Sequence, residues 1–297
     1  MQTIKALVFN LVNMLASGSA EADPGTNWAN LNEQALALYH KGHYEHAEEA
    51  GRRALKFAVN AEHPELTDVA ASQHNLALVY TAQGHYAKAE PFYARSLALR
   101  EKLLGPDHGE VAETLHQLAL LHGAQQQYAQ AEALFARALA IREQRLGPNH
   151  EKVAETLHQL ALVGDAQGHS AQADQLFTRC LTLREKLLGP NHGEVADYQH
   201  MLGLRHLHNG LYSLAEPLFQ ASLATRERVL GPEHPAVAES LVKLAAVLAA
   251  TGRYPQAEPL YRRALAIHAT SLDASHPLWR EISANLATLG NYQSHHA

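Results

Sequence analysis

Leu104-Gly105-Pro106-Asp107-His108 decides the reading of this chain, because it returns as Leu146-Gly147-Pro148-Asn149-His150, Leu188-Gly189-Pro190-Asn191-His192 and Leu230-Gly231-Pro232-Glu233-His234. The spacing is 42 residues each time, without insertion. Working outward, other columns keep the same phase. Gly42, Gly84, Gly168, Gly210 and Gly252 share one place, with Gln126 in the remaining slot, and Ala47, Ala89, Ala131, Ala173, Ala215 and Ala257 share another. A constant period means that every repeat makes the same contacts with its neighbours, so a continuous stack of small modules is expected rather than one closed core.

Residues 109 to 147 show what one module is. Val111, Leu115, Leu118, Ala119 and His122 recur at helical spacing, and after a break at Gln125-Gln126-Gln127 so do Ala131, Leu134, Phe135, Ala138, Leu139 and Ile141. Gly147 supplies a left-handed helix end and Pro148 cannot continue the helix. Asp107, Asn149 and Asn191 stand where the next helix begins and are expected as N-caps, while Pro235 and Pro277 suit a first helical turn. The linker histidines His108, His150, His192, His234 and His276 keep a fixed place beside Gly-Pro and are expected to close the turn between repeats. No segment alternates with period two, so no strands are expected.

Two small columns, Ala35, Ala77, Ala119, Ala161, Gly203, Ala245, Ala287 and Ala54, Ser96, Ala138, Cys180, Ser222, Ala264, let helices approach closely. An aromatic column, Tyr93, Phe135, Phe177, Phe219 and Tyr261, fills the space beside them. Cys180, the single cysteine, reads as one more small buried residue.

These columns resemble the tetratricopeptide repeat: Leu115, Leu118-Ala119, Gly84-His85-Tyr86 (or Gly252-Arg253-Tyr254), Ala131, Phe135 and Ala138 match its Leu, Leu-Ala, Gly-x-Tyr, Ala, aromatic, Ala pattern. The long repeat with its Leu-Gly-Pro-x-His linker resembles specifically the repeats of kinesin light chains and their bacterial relatives. The likeness covers about residues 28 to 290. It implies an all-α fold, a right-handed superhelical solenoid of antiparallel helix pairs, here six pairs plus a polar capping helix at residues 277 to 290. No heptad pattern precedes the repeats, so the resemblance carries a fold and a binding role, not motor transport.

The ends read differently. Residues 1–27 form a separate segment and 291–297 a tail. The apolar run Ala6 to Ala16, followed by Gly18 and Ala20, suits a cleavable leader; Ile4, Leu7, Val8, Leu11 and Leu15 on one helical side suit an amphipathic helix docked on the first repeat instead. Retention would favour the cytoplasm, and cleavage of residues 1–20 the periplasm or secretion.

Composition excludes several classes of function. The net charge of −6 gives no electrostatic footprint for nucleic acid, and no run reaches the length of a membrane span. There is no Gly-x-Ser-x-Gly, phosphate-binding Gly-Lys-Ser/Thr loop or His-Glu-x-x-His, and a column copied along a stack does not make the unique constellation catalysis needs. No catalytic residue and no cofactor is expected.

A protein or peptide partner is expected instead, since the resemblance places the first helix of each repeat on an inner, concave wall. Projecting that wall onto this chain gives a histidine column, His74, His116, His158 and His200, headed by Asn32; an amide column, Asn75, Gln117, Gln159 and Asn285, interrupted by Met201 and Lys243; and an acidic column, Glu113, Glu155, Asp197, Glu239 and Glu281. Kinesin light chains carry consecutive asparagines where this chain has His-Gln. Imidazoles and amides both donate and accept, so a ladder of them can pair with an extended peptide backbone. Leu78, Leu120, Leu162 and Leu204 would give apolar pockets, and the carboxylates would favour a basic ligand.

Three other readings stand beside this one. The chain could be a spacer without a ligand. It could self-associate through solenoid ends. The pairs Glu113/His116 and Glu155/His158 have a metal-ligand spacing, although copying them along a stack spreads them apart. Protonation of the histidine column near pH 6 is expected to alter ligand preference.

Overall fold

The computed structural model describes residues 27–269, 279–280 and 282–287. The N-terminal segment and the tail lie outside the described residues, as do most of the linker before the expected cap and Glu281. Twelve helices among the described residues follow in consecutive pairs: α1 (Trp28–His40) with α2 (Tyr44–Asn60), α3 (Leu66–Ala82) with α4 (Tyr86–Leu104), α5 (Gly109–Ala124) with α6 (Tyr128–Leu146), α7 (Glu151–Ala166) with α8 (Ser170–Leu188), α9 (Gly193–His208) with α10 (Tyr212–Leu230), and α11 (Pro235–Ala250) with α12 (Tyr254–Ala269). Residues 282–287 are also helical, and there is no strand among the described residues.

The chain divides into two compact units, Met1–Leu176 and Phe177–Ala297. Inside each, a first helix packs on its own second helix across a short turn, and the second helix packs on the next first helix. The first unit's core is built from Leu55, Val69, Leu76, Tyr80, Phe92 and Tyr93, continuing through Val111, Leu115, Ala138 and Ile141. The second unit's core gathers Phe219, Val237, Leu241, Leu244, Tyr261 and Ile267, with Ile282 of the last helical stretch. The alanine column from Ala47 to Ala257 and the aromatic column are buried, as is Cys180. Where a repeat departs from its column, its neighbour takes the space. A Cβ on Gly203 would lie 2.8 Å from the Phe219 ring, and one on Gly51 would lie 3.0 Å from Leu76.

The turns explain the glycine column. The residue before the last turn position has positive φ throughout, and Gln126 at φ 61° is the one non-glycine residue among the described that adopts it. The turn still closes with the same hydrogen bonds, Gln126 N–H to the Gly123 carbonyl and Gln127 N–H to the His122 carbonyl. A side chain in this region costs about 1 kcal/mol, which glycine avoids. Gln126→Gly should therefore raise stability by ~0.5–1 kcal/mol, seen as a higher urea midpoint. An unchanged or lower midpoint would show that the Gln126 side chain contributes more than its backbone costs.

The N-caps differ from expectation by one residue. It is the linker histidine, not Asp107, Asn149 or Asn191, that starts α5, α7, α9 and α11, while Asn27 caps α1 and Glu65 stands at the start of α3 without a side-chain cap bond. Nδ1 of His108, His150, His192 and His234 accepts the backbone N–H two residues on, from Glu110 (3.2 Å), Lys152 (3.1 Å), Glu194 (3.3 Å) and Ala236 (3.1 Å). The imidazole reaches further than an Asx side chain, so the cap sits beyond Gly-Pro-x. These four linker histidines thus act at the turns between repeats as caps; His276 and Pro277 lie outside the described residues.

Candidate functional site

The first helices from α3 to α11 are covered by neighbours on most of their circumference, whereas α1, at the start, buries Leu31 and Ala35. On α5 the residues Val111, Ala112, Thr114, Leu115, His116, Leu118, Ala119, Leu121 and His122 are all buried. What remains is a narrow stripe at i, i+4, i+7 and i+11: Glu113, Gln117, Leu120 and Ala124. On α7 the stripe is Glu155, Gln159, Leu162 and Ala166 with His158 half-buried beside it; on α9 it starts Asp197, Met201, Leu204, and on α11 Glu239, Lys243, Ala246.

From α5 onward the acidic, amide and leucine positions therefore share one open stripe on each first helix, whereas Asn75, the first member of the amide column, is buried on α3. The histidine column does not share that stripe. His116 is fully buried, at 0% exposure, and His74 and His200 are buried as well. Each ring meets the aromatic column edge to face: His74 on Tyr93 at 5.5 Å, His116 on Phe135 at 5.1 Å and His200 on Phe219 at 5.3 Å. The histidine precedes the amide by one residue, and one residue is a rotation of 100° about the helix, enough to carry it from the stripe into the core. These three imidazoles are thus packing groups and not part of the open surface.

The titration of His74 and His200 changes accordingly. Burial first, then the nearby Arg100, lowers the pKa of His74 to about 3 against the pull of Glu113. Burial, Arg226 and Lys243 lower that of His200 to about 4, opposed by Asp197. Both stay neutral through the physiological range, so the proton switch near pH 6 expected of this column is absent at these two positions.

The remaining expected residues lie as follows. Asn75 is buried on α3 and donates to the half-buried Asn32 at 2.7 Å. Gln117 is half-exposed and donates to Glu113 at 3.3 Å. Lys243 is half-buried, and Asn285 lies half-exposed in the last helical stretch.

The carboxylates are engaged by a feature that sequence reading missed. Arg100, Arg142 and Arg226, on the second helices, are buried. Arg142, 3% exposed, donates through Nη1 to the Lys152 carbonyl (2.9 Å), the Thr156 hydroxyl (2.7 Å), Glu155 (3.2 Å) and His116 Nδ1 (3.2 Å), and through Nη2 to Glu113 (2.9 Å). Accepting at Nδ1 leaves the His116 proton on Nε2, 3.5 Å from the Glu155 carboxylate. Lys152 Nζ adds a second contact to Glu113 at 3.1 Å. Burial works to raise the Glu113 pKa, but Arg142, Lys152 and Gln117 together outweigh it and hold it at about 2. The hydrogen bond to His116 leads the causes that lower that of Glu155.

Arg226 repeats the plan, donating to Asp197 (2.7 Å), the Ser240 hydroxyl (3.0 Å) and the Ala236 carbonyl (3.0 Å), with Glu239 at 3.8 Å. Arg100 bonds the Thr114 hydroxyl (2.7 Å) and the Glu110 carbonyl (3.1 Å), but Ala71 stands where Glu113 and Asp197 stand for the others. The signal was present: Arg-Glu recurs at 100, 142, 184 and 226 ahead of each Leu-Gly.

Between neighbouring stripes in the first unit lies an apolar cavity of about 210 Å³. Leu120, Gly123 and Ala124 of α5, Tyr128 and Phe135 of α6, and Gln159, Leu162 and Val163 of α7 line it. Leu162 is 43% exposed at its rim. The expected leucine pockets thus have a counterpart, with one amide of the expected ladder beside them. No group of three or more His, Cys, Asp or Glu side chains converges in a metal-binding arrangement among the described residues. No helix among them is long and apolar enough to cross a membrane.

A right-angled comparison with known proteins agrees with this architecture. The family model described as tetratricopeptide repeat matches residues 68–144, 110–186 and 194–270. Among solved structures, a candidate kinesin light chain of nearly identical TPR-like repeats from Podosopora anserina is 27% identical, with a TM-score of 0.59 over 71% of this chain and 99% of that one. BtubC (BKLC) from P. vanneervenii is 21% identical, with a TM-score of 0.59 over 86% of this chain and 95% of its own. Pseudomonas aeruginosa pilF is 17% identical, with a TM-score of 0.57 over 87% and 97%. No curated protein matches the chain.

The paired helices, their conserved phase and the family match define a repeat scaffold, a class that typically serves protein–protein interaction and is generally non-enzymatic. The chain belongs to the tetratricopeptide repeat family, and its long repeats are of kinesin-light-chain-like type.

Proposed function

We propose that this protein is a non-catalytic interaction scaffold that takes an extended peptide segment of a partner along the open stripe of its first helices. The observation that carries the reading is the cavity bounded by Leu120 and Leu162, with Gln159 at its edge and Gln117 on the adjoining stripe. An apolar partner side chain would enter the cavity, while half-exposed amides offer donors and acceptors to its backbone. The acidic column now has a different part. Glu113 and Asp197 are claimed by buried arginines, so their charge organises the wall more than it attracts a basic ligand. Specificity would then come from shape and amide pairing, with Asn32, held by the buried Asn75, and Lys243 and Asn285 extending the polar surface within their own units.

The test is selection of peptides from a random library on the full chain, followed by affinity measurement on Leu162→Arg and Gln159→Ala. Leu162 projects from the surface, so the substitution should leave the unfolding midpoint unchanged. Selected peptides should lose at least ~10-fold in affinity for Leu162→Arg, the value of one buried apolar anchor. Equal binding to wild type and both variants, or no peptide selected at all, would remove the reading.

A second reading, self-association, is favoured by exposed leucines ahead of the linkers, Leu103 and Leu146 in the first unit and Leu187, Leu188 and Leu230 in the second. Sedimentation over a hundredfold range of concentration separates the two: a constant monomer mass leaves the peptide groove alone.

A further inference from the structure

We propose that His108, His150, His192 and His234 form a proton-operated release of the junctions between repeats. Each accepts a backbone N–H at Nδ1, which requires a neutral ring with its proton on Nε2. Protonation turns that acceptor into a donor facing another donor. It also sets a cation against the positive end of a helix. One proton therefore both breaks the cap and repels its partner.

The consequence reaches beyond the cap because of what the capped residue does with its carbonyl. Glu110 gives its N–H to His108 and its C=O to the buried Arg100. Lys152 gives its N–H to His150 and its C=O to Arg142. Ala236 gives its N–H to His234 and its C=O to Arg226. At the fourth junction Arg184 instead faces the Glu194 carboxylate, at 3.9 Å. In three junctions one residue thus joins, through its N–H and its C=O, a titratable cap to the guanidinium that ties the preceding second helix to the next first helix. Releasing the cap loosens the residue that satisfies a buried cation, and such a cation tolerates the loss of partners poorly.

The charged residues next to these rings along the chain are Glu110, Glu151, Lys152 and Glu194 on the first helices and Asp107 and Glu233 in the linkers. From the second helices Arg145 donates to the Asp107 carbonyl (2.8 Å), Arg137 to that of Pro106 (3.5 Å), Arg228 to that of Asn191 (2.9 Å) and Arg263 to that of Pro232 (3.2 Å). Carboxylates ionise below this range and Arg and Lys lose protons above it, so imidazole is the side chain that responds between pH 7 and 5. The same event, copied at four junctions, has the same sign at each.

The experiment replaces all four histidines with asparagine, which caps a helix without titrating. Imidazole ¹⁵N shifts of the wild type at pH 8 should show the Nε2–H tautomer at these four residues. Amide-exchange protection at Glu110, Lys152, Glu194 and Ala236 should fall roughly tenfold between pH 7.5 and 5, the worth of one cap, after correction for intrinsic exchange. In the asparagine variant it should stay nearly flat. His150→Asn alone gives the same comparison at Lys152 with three junctions untouched. An Nδ1–H tautomer at pH 8, or the same decline in the asparagine variants as in wild type, overturns the proposal.

Discussion

Arg142→Met will lower the stability of the first unit by about 2–4 kcal/mol, the largest loss expected from any single charged side chain described above. The guanidinium joins α6 to both α5 and α7, and five partners point at it. Methionine keeps the apolar stem but leaves the Lys152 carbonyl, the Thr156 hydroxyl and His116 Nδ1 facing an apolar group. Glu113 and Glu155 retain solvent access, at 31% and 49% exposure, and can be rehydrated, which places the loss below that of a fully dry ion triad. Urea unfolding at pH 7 measures the loss, and amide exchange should localise it to α5, α6 and α7. Arg137→Met, which removes a surface pair with Glu101 at 2.6 Å, is the control and should cost less than about 1 kcal/mol. Equal effects at the two sites would mean that the buried arginine contributes no more than a surface one.

Acidification will destabilise the protein well above the pH at which its paired carboxylates protonate, and His74 and His200 will account for much of the loss. Both pKa values are lower in the folded state than the ordinary 6.5, to about 3 for His74 and about 4 for His200. The unfolded chain therefore binds these two protons more tightly. Stability is full above pH 6.5 and falls steadily below it, until the loss is complete near pH 4 for His200 and near pH 3 for His74. The two sites together make the folded state progressively less favourable across this window. Glu113 has the same sign but a lower window: its stabilisation is present above the ordinary carboxylate value and is lost as the pH falls through about 2. The double variant His74→Gln/His200→Gln should show a flatter stability profile between pH 6.5 and 4, even if its midpoint at pH 7 is lower. A slope equal to that of wild type would show that these rings do not carry the acid sensitivity. Amide exchange at the junction caps separates this global effect from the local one proposed above.

These results show where sequence reading succeeded and where it turned the wrong way. Turn glycines, cap-forming linkers, the alanine ladder and the aromatic ladder were legible because each is a local requirement repeated in phase. Gln126 was visible as an exception for the same reason. The leucine and amide columns were assigned to an open face, and the structure places Leu120, Leu162, Gln117 and Gln159 on it. The histidines were assigned to that face because the family resemblance projects their positions onto the inner wall, yet His116 proves as buried as the leucines around it. The cap was assigned to Asp107 and its equivalents on residue preference, when the longer reach of the next residue supplied it.

Periodicity alone determines that this chain is a stack of two-helix modules, since a local pattern that recurs without insertion can only make the same contacts again. Which side of a first helix remains open was decided by tertiary structure, because neighbouring helices cover most of that helix and a single residue's rotation moves a side chain from surface to core. The arginines were decided there too. For Arg142 and Arg226 the partners are one carboxylate 29 residues back and a carbonyl and hydroxyl 10 and 14 residues ahead, and only packing brings the three to one guanidinium.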